Sequence, residues 1–244
     1  MHESVKNAEV GEMKVGIMQP YFFPYIGYWQ LMKAVDRYVI YDDVNYINRG
    51  WINRNRILIN GEAQFYSLPL SKASQNKLIN EILLADDIRA REKLLRTVQN
   101  AYGKAPQFKQ VYPLIERILT MKEENLAFYL RVQLELIAEY LDIKTEFVVS
   151  SELDKIPNLR GEEKILHICK LLGADTYVNA IGGKDLYSRE RFLEEKIKLR
   201  FLETGKIRYT QFKNEFVPNL SIIDIMMFNS REEIGEMLKM YVLL

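Results

Sequence analysis

Cysteine is almost absent from this chain. Cys169 is the only one, so no intrachain disulfide can form and a reducing compartment fits. Histidine is nearly as scarce, with only His2 and His167, which argues against a Cys/His structural zinc site. Neither sign of charge dominates. Lys and Arg total 34 and Asp and Glu 33, a formal net charge of +1. That balance suggests neither a nucleic-acid coat nor a polybasic membrane anchor, although local clusters of Arg can still act. No apolar run approaches the ~20 residues a membrane span needs. The opening "MHESVKNAEVGE" is polar and lacks the apolar core of a signal peptide. Residues 1–12 therefore read as a flexible leader, and the protein as cytoplasmic. The 244 residues suffice for a sizeable core, and there are no internal repeats, low-complexity stretches or obvious linkers. Residues 13–244 read as a single domain.

What is present begins with "KVGIMQP" (14–20), a short apolar run stopped by Pro20 and predicted to be a buried strand. Apolar residues at 28, 31, 32 and 35 predict a helix over 26–36. "RYVIYDDV" (37–44) predicts a second strand. Strand, turn, helix and strand within this length form a βαβ unit with two parallel neighbours. Residues 54–70 predict a hairpin around Asn60-Gly61, a strong turn pair. From about 77 to 142 the spacing turns helical, which predicts an inserted helical layer. Further strands are expected at 145–153, 175–183 and 197–203. A helix over 161–173 is closed by Gly173, and 221–238 is helical at its end. The fold class is α/β: a parallel-sheet core opened by a Rossmann-like βαβ unit, with a helical insertion.

In such sheets the ligand crevice lies beyond the carboxyl ends of the strands. Two unusual segments fall there. "QPYFFPYIGY" packs aromatics between two prolines, so it predicts a stiff wall with some aromatics in the core and Gln19, Tyr21, Tyr25 and Tyr28 toward a ligand. "YDDVNYINRGWINRNR" (41–56) carries Asp42, Asp43, Asn45, Tyr46, Arg49, Trp51, Asn53, Arg54, Asn55 and Arg56. Guanidiniums fork onto phosphates or carboxylates, aromatic faces stack a base or sugar, and a carboxylate can act as a base or hold Mg²⁺. A polar surface loop with ordinary ion pairs is the plain alternative. A third segment, "NAIGGKDLY" (179–187), offers Asn179, Gly182, Gly183 and Lys184 to an anion, but it is not a Walker A loop. His167 falls off the apolar face set by Ile165, Ile168, Cys169 and Leu172, so it reads as a solvated or edge histidine. Cys169 shares that face and reads as an inert buried thiol. No Ser-His-Asp or Cys-His arrangement is evident.

"GIMQPYFFPYIGYWQLM", "YDDVNYINRGWINRNRI", "YVNAIGGKDLY" and "FVPNLSIIDIMMFN" resemble, in this order, the motifs of the WbqC-like family. The resemblance runs from about residue 14 to the C-terminus. It implies a role in bacterial O-antigen and surface-polysaccharide gene clusters, as a transferase adding an aminoacyl group such as glycyl, or an acyl group, to an amino sugar. A narrower likeness covers only the first βαβ unit. It is similar to the opening of the adenylate-forming ligases and nucleotidyltransferases (the HUP class) whose first loop carries H-x-G-H. Here that stretch is Tyr25-Ile26-Gly27-Tyr28, with tyrosines where imidazolium charge would stand.

The leading expectation is a transferase acting on a nucleotide-linked amino sugar. Asp42 or Asp43 would be the base; Arg49, Arg54 and Arg56 would hold phosphate, with Asn53 or Asn55 orienting the sugar. Tyr21, Tyr25, Tyr28 and Trp51 would line the pocket. An ATP-dependent ligase using Mg²⁺ on one carboxylate is the alternative within the same pathway. A nucleotide-sugar-binding protein without turnover, and a partner-binding subunit whose aromatic turn is the interface, are the others.

Overall fold

The computed structural model describes residues 11–213 and 215–244. Most of the expected leader, residues 1–10, lies outside the described residues. Its last member, Glu12, accepts hydrogen bonds from Thr176 Oγ1 at 2.7 Å and Lys198 Nζ at 3.0 Å.

Strand β1 (Lys14–Met18) is followed by helix α1 (Ile26–Lys33) and β2 (Arg37–Ile40). β1 and β2 pair in parallel with Val15 opposite Arg37, as the βαβ reading required. The Asn60-Gly61 turn joins β3 (Arg54–Ile59) to antiparallel β4 (Glu62–Ser67). Both turn residues have positive φ, 52° and 82°, which is why that pair suits a tight hairpin. The short strands β5 (Leu70–Ser71) and β6 (Leu83–Leu84) pair with each other, and helices α2 (Ile88–Tyr102), α3 (Phe108–Leu119) and α4 (Leu126–Tyr140) follow. β7 (Glu146–Val149), α5 (Gly161–Leu171), β8 (Thr176–Ala180), α6 (Arg189–Glu194) and β9 (Lys198–Thr204) return the chain to the sheet. Helices α7 (Ile222–Phe228) and α8 (Arg231–Met237) lead to β10 (Tyr241–Leu243).

The main sheet has the order β10-β9-β8-β1-β2-β7, and only β10 runs antiparallel to its neighbour. The chain fills β1, β2 and β7 outward and then returns to the other side of β1 for β8. The strand order therefore reverses between β1 and β8, the position where open α/β sheets leave a crevice. Alternation along the strands divides the core. Val15, Ile17, Val39 and Tyr177 face α5 and α6, whereas Tyr38, Ile40 and Val178 face the larger core shared with α1, α7 and the insertion.

Several boundaries differ from the sequence reading. β2 stops at Ile40, because Asp42 and Asp43 fold over the strand end onto β7's exit instead of extending the ladder. Residues 77–87 are not helical beyond one 3₁₀ turn, Ile79–Glu81, because β6 pairs with β5. β8 ends at Ala180, where the glycine segment tightens into a 3₁₀ turn, Ile181–Leu186. Gly173 takes φ 63° after α5, as a helix stop requires. Cys169 is buried, and burial pushes its thiol up to about 12.

The proline-pinned turn is anchored rather than surface-borne. Phe22 and Phe23 are fully buried, their rings 4.8 Å apart, and Phe22 stacks on Tyr66 at 5.6 Å. Phe23 adopts φ 43°, a left-handed backbone that costs a bulky residue about 1–3 kcal/mol unless its surroundings enforce it. They do. Gln133 Oε1 accepts from Phe23 N at 3.1 Å and its Nε2 donates to Tyr21 O at 3.0 Å. Asn55 Nδ2 donates to Phe23 O at 2.8 Å, as does Ser221 Oγ at 2.9 Å, and Trp29 Nε1 donates to Pro24 O at 3.0 Å.

Candidate functional site

Half-buried Tyr21, buried Pro24 and exposed Tyr25 of this anchored turn border one cavity, and three other elements close around them. Trp51 comes from the loop before β3, Asn55 and Arg56 from β3, and Asn219 from the connection into α7. Together they line a cavity of about 320 Å³. Arg56 is its distinctive member. Its Nε is buried and has no hydrogen-bond partner, its Nη2 reaches Asn219 O only at 3.4 Å, and its guanidinium lies 5.7 Å from the Trp51 ring. No carboxylate among the described residues forms an ion pair with it. A desolvated, unpaired donor beside an aromatic face calls for an anion with a planar or apolar neighbour. Burial pushes the Tyr21 phenol up, with Tyr25 adding to the effect, so Tyr21 is a neutral hydrogen-bond donor at this wall.

Gly27 fixes how α1 meets this rim. A Cβ there would fall 2.5 Å from both Thr204 Oγ1 and the Tyr25 hydroxyl, so a larger residue would have to displace these two side chains from the helix start.

The expected residues do not all converge here. Tyr28 is buried and donates to Gln19 O at 2.9 Å, which makes it a support beneath the rim. Gln19 is half-buried at the end of β1. Asn53 accepts from the Tyr46 hydroxyl at 2.8 Å and donates to Leu68 O at 2.8 Å, so both hold the loop to the hairpin. Asn45 donates to Gln75 O at 2.8 Å. Arg54 donates to Gly50 O at 3.0 Å and to Arg49 O, and lies 4.4 Å over Phe65; Arg49 itself is exposed. Asn55 lines the cavity but its amide clamps the aromatic turn. Asn179, Gly182, Gly183 and Lys184 sit at the end of β8 and do not line the cavity. A Cβ on Gly183 would fall 2.4 Å from Asn179 Nδ2, and Lys184 is exposed.

The two carboxylates go to different partners. Asp42 is buried and accepts from Ser151 N at 2.9 Å and Ser151 Oγ at 2.6 Å. It borders a second cavity of about 330 Å³ with Asn80, Asn125, Phe128 and Arg131. Asp43 is held by Lys164 at 3.0 Å, Lys155 at 3.2 Å and Ser150 Oγ at 2.6 Å. Burial alone would raise its pKa, but the Ser150 and Lys164 hydrogen bonds and the two lysine charges outweigh it and hold the carboxyl below its usual value. A carboxylate so stabilised is a poor proton acceptor. Among the described residues no cluster of three or more His, Cys, Asp or Glu is placed to hold a metal ion. His167, on α5, accepts at Nε2 from Ile156 N at 3.2 Å, a structural bond to the segment before the helix. Lys155, Lys164 and Gln133 were not legible beforehand, since none sits in a pattern that marks it, and Ser221 lay in the fourth family-like motif without being singled out. Asn219 was the one polar cavity residue not singled out beforehand, although it lies within the fourth family-like motif.

Asp43 makes a pH prediction. Its folded pKa is depressed, so its contribution to stability is complete above the unfolded value near ~4 and is lost as pH falls through the folded value. Asp43→Asn should therefore lose stability less steeply than the wild type as pH falls below about 4, because this carboxyl no longer has to be protonated. Urea denaturation at stepped acidic pH measures this. Equal slopes for the two proteins would contradict the assignment.

A family model, that of the WbqC-like protein family, matches residues 19–236. An uncharacterized protein of Mycobacterium tuberculosis (strain ATCC 25618 / H37Rv), Rv1507c, is 28% identical over 229 residues, which span 93% of this chain and 97% of the relative. No solved structure matches the chain.

Proposed function

Since the chain belongs to the WbqC-like protein family, we propose that it is a cytoplasmic transferase of surface-polysaccharide (O-antigen) assembly that adds an aminoacyl group, such as glycyl, or an acyl group to a nucleotide-linked amino sugar. The observation that carries this reading is Arg56: its Nε is buried without a hydrogen-bond partner, and the side chain lines a cavity walled by Tyr21, Tyr25 and Trp51. A sugar nucleotide supplies the matching parts, a diphosphate for the guanidinium and rings for the aromatic faces.

In the reaction the sugar amine attacks the acyl carbonyl. A C–N bond forms, the bond from the acyl carbon to its carrier breaks, and the amine proton passes to a base as the carrier leaves. Of the two carboxylates Asp42 is the candidate base, because Asp43 is neutralised by two lysines whereas Asp42 accepts only from Ser151; Asp42 borders the second cavity and not the Arg56 cavity, so this role requires the amino sugar to reach from one to the other. The same neutralisation of Asp43 favours a second reading, a protein that binds the sugar nucleotide without turning it over.

Thermal shift against UDP- and dTDP-linked amino sugars, ATP with Mg²⁺, and free amino acids tests this directly. A ligand of the native state stabilises it by about 2.7 kcal/mol at a hundred times its Kd. A saturable rise with a sugar nucleotide, followed by a product heavier by an acyl group in mass spectrometry, is the expected result. Stabilisation without product favours the binding protein. Stabilisation by ATP with Mg²⁺ and ATP consumption would replace the transferase by a ligase. No response to any sugar nucleotide would remove the proposal.

A further inference from the structure

The loop before β3 and the hairpin present an apolar, positively charged face to solvent. Ile47, Trp51 and Phe65 are exposed by 51%, 42% and 58%, high values for large apolar side chains in one neighbourhood. The rings of Trp51 and Phe65 lie 6.2 Å apart. Arg54 covers Phe65 at 4.4 Å and Arg56 lies 5.7 Å from Trp51, so the ring pair is flanked by a guanidinium on each side. Arg49 is exposed at the tip, in a tight turn closed by Gly50 N to Ile47 O at 3.0 Å. None of the three arginines forms an ion pair with a carboxylate among the described residues, although the chain as a whole is nearly neutral.

We propose that this face, Ile47, Trp51 and Phe65 with Arg49, Arg54 and Arg56, docks the protein on the surface of an anionic phospholipid membrane. The charge pattern selects the occupant. Unpaired arginines are drawn to anionic headgroups, and each contributes only near the surface. Aromatic rings settle at the headgroup boundary, where one edge is apolar and the other polar, and an isoleucine at a turn tip reaches just below it. Among the described residues no helix is long and apolar enough to cross a membrane, so the contact is peripheral. Trp51 and Arg56 belong to both the face and the cavity wall, so docking brings the cavity mouth to headgroup level. The proposal does not depend on the transferase reading.

The chain carries its own reporter. It has two tryptophans, and Trp29 is fully buried while Trp51 is exposed. The purified protein is mixed with vesicles of phosphatidylcholine alone or of phosphatidylcholine with phosphatidylglycerol, each with brominated acyl chains. The expected result is sedimentation with the anionic vesicles only, quenching of the exposed tryptophan there, and release at high salt. Ile47→Ser with Phe65→Ser should lower partitioning roughly tenfold at an unchanged melting temperature. Neither residue lines the cavity, so this variant keeps whatever small-ligand response the wild type shows. Arg49→Ser, at an exposed position, should weaken anionic binding without altering stability. Equal binding to both vesicle types, binding without quenching, or undiminished binding by the double variant would each overturn the proposal. So would no binding to anionic vesicles, which would leave a protein partner as the occupant of this face.

Discussion

Arg56→Ala is expected to weaken sugar-nucleotide binding by about 10–100-fold, the worth of charged hydrogen bonds to a desolvated phosphate. Calorimetric titration of the wild type and the variant measures it. Stability should scarcely move, within about 0.5 kcal/mol, because the guanidinium has no ion pair to lose. Its one protein hydrogen bond, to Asn219 O, is long at 3.4 Å, and its Nε has no partner. That combination separates a ligand-binding arginine from a structural one. Arg54→Ala should behave in the opposite way, since its guanidinium holds Gly50 O and Arg49 O in the loop. Arg56→Lys should restore part of the affinity, because the ammonium keeps the charge and loses the planar fork. Wild-type affinity in Arg56→Ala would move the phosphate site elsewhere.

The largest stability effect is expected at Asp224. This side chain is fully buried in α7 and accepts from the Tyr102 hydroxyl at 2.9 Å, the Tyr209 hydroxyl at 2.6 Å and Gln211 Nε2 at 2.6 Å. Two of those donors extend the network. Leu58 N donates to the Tyr102 hydroxyl at 2.8 Å, and Val217 N to Gln211 Oε1 at 2.7 Å. One carboxyl therefore ties α2, the β3–β4 hairpin and the connection between β9 and α7 together. Asp224→Ala removes the acceptor of the Tyr102 and Tyr209 hydroxyls and leaves Gln211 Nε2 with Val217 O at 3.1 Å, and it should cost about 3–5 kcal/mol in urea unfolding.

The pH dependence has the opposite sign to that of Asp43. Burial raises the Asp224 carboxyl, and the hydrogen bonds from Tyr209, Gln211 and Tyr102 only partly offset it. The native state then holds this proton more firmly than the unfolded chain. Its contribution is greatest below the unfolded value near ~4 and is lost as pH rises through the folded value. Asp224→Asn cannot titrate, so its deficit relative to the wild type should shrink as pH rises through that window. A deficit that grows with pH would show that the carboxyl is ionised in the fold down to low pH.

Much of the frame follows from short-range rules. Pro20 ends β1, the short continuous apolar runs in 14–18 and 37–40 select a buried parallel pair, Asn60-Gly61 supplies the two positive φ values of the hairpin, and Gly173 stops α5. These features depend on a residue and its near neighbours, which is why they are legible along the chain. The rim was also legible as a place, because strand ends follow from strands.

Which polar residues remain free for a ligand was not legible, because that depends on who takes their hydrogen bonds. Asn53 and Asn55 resemble ligand-facing amides in sequence, yet Asn53 holds Tyr46 and Leu68, and Asn55 holds Phe22 and Phe23. Asp42 and Asp43 are adjacent in the chain but face Ser151 in one case and Lys155 and Lys164 in the other. The clamps on the aromatic turn, Gln133 and Ser221, lie 110 and 198 residues from Phe23. Local chemistry determined the elements and the family-like motifs of this protein. Only the packing of distant segments decided that Arg56 alone of its arginine-rich stretch keeps a buried donor unpaired, because a hydrogen bond is satisfied by whatever the fold brings within reach and not by what is near in sequence.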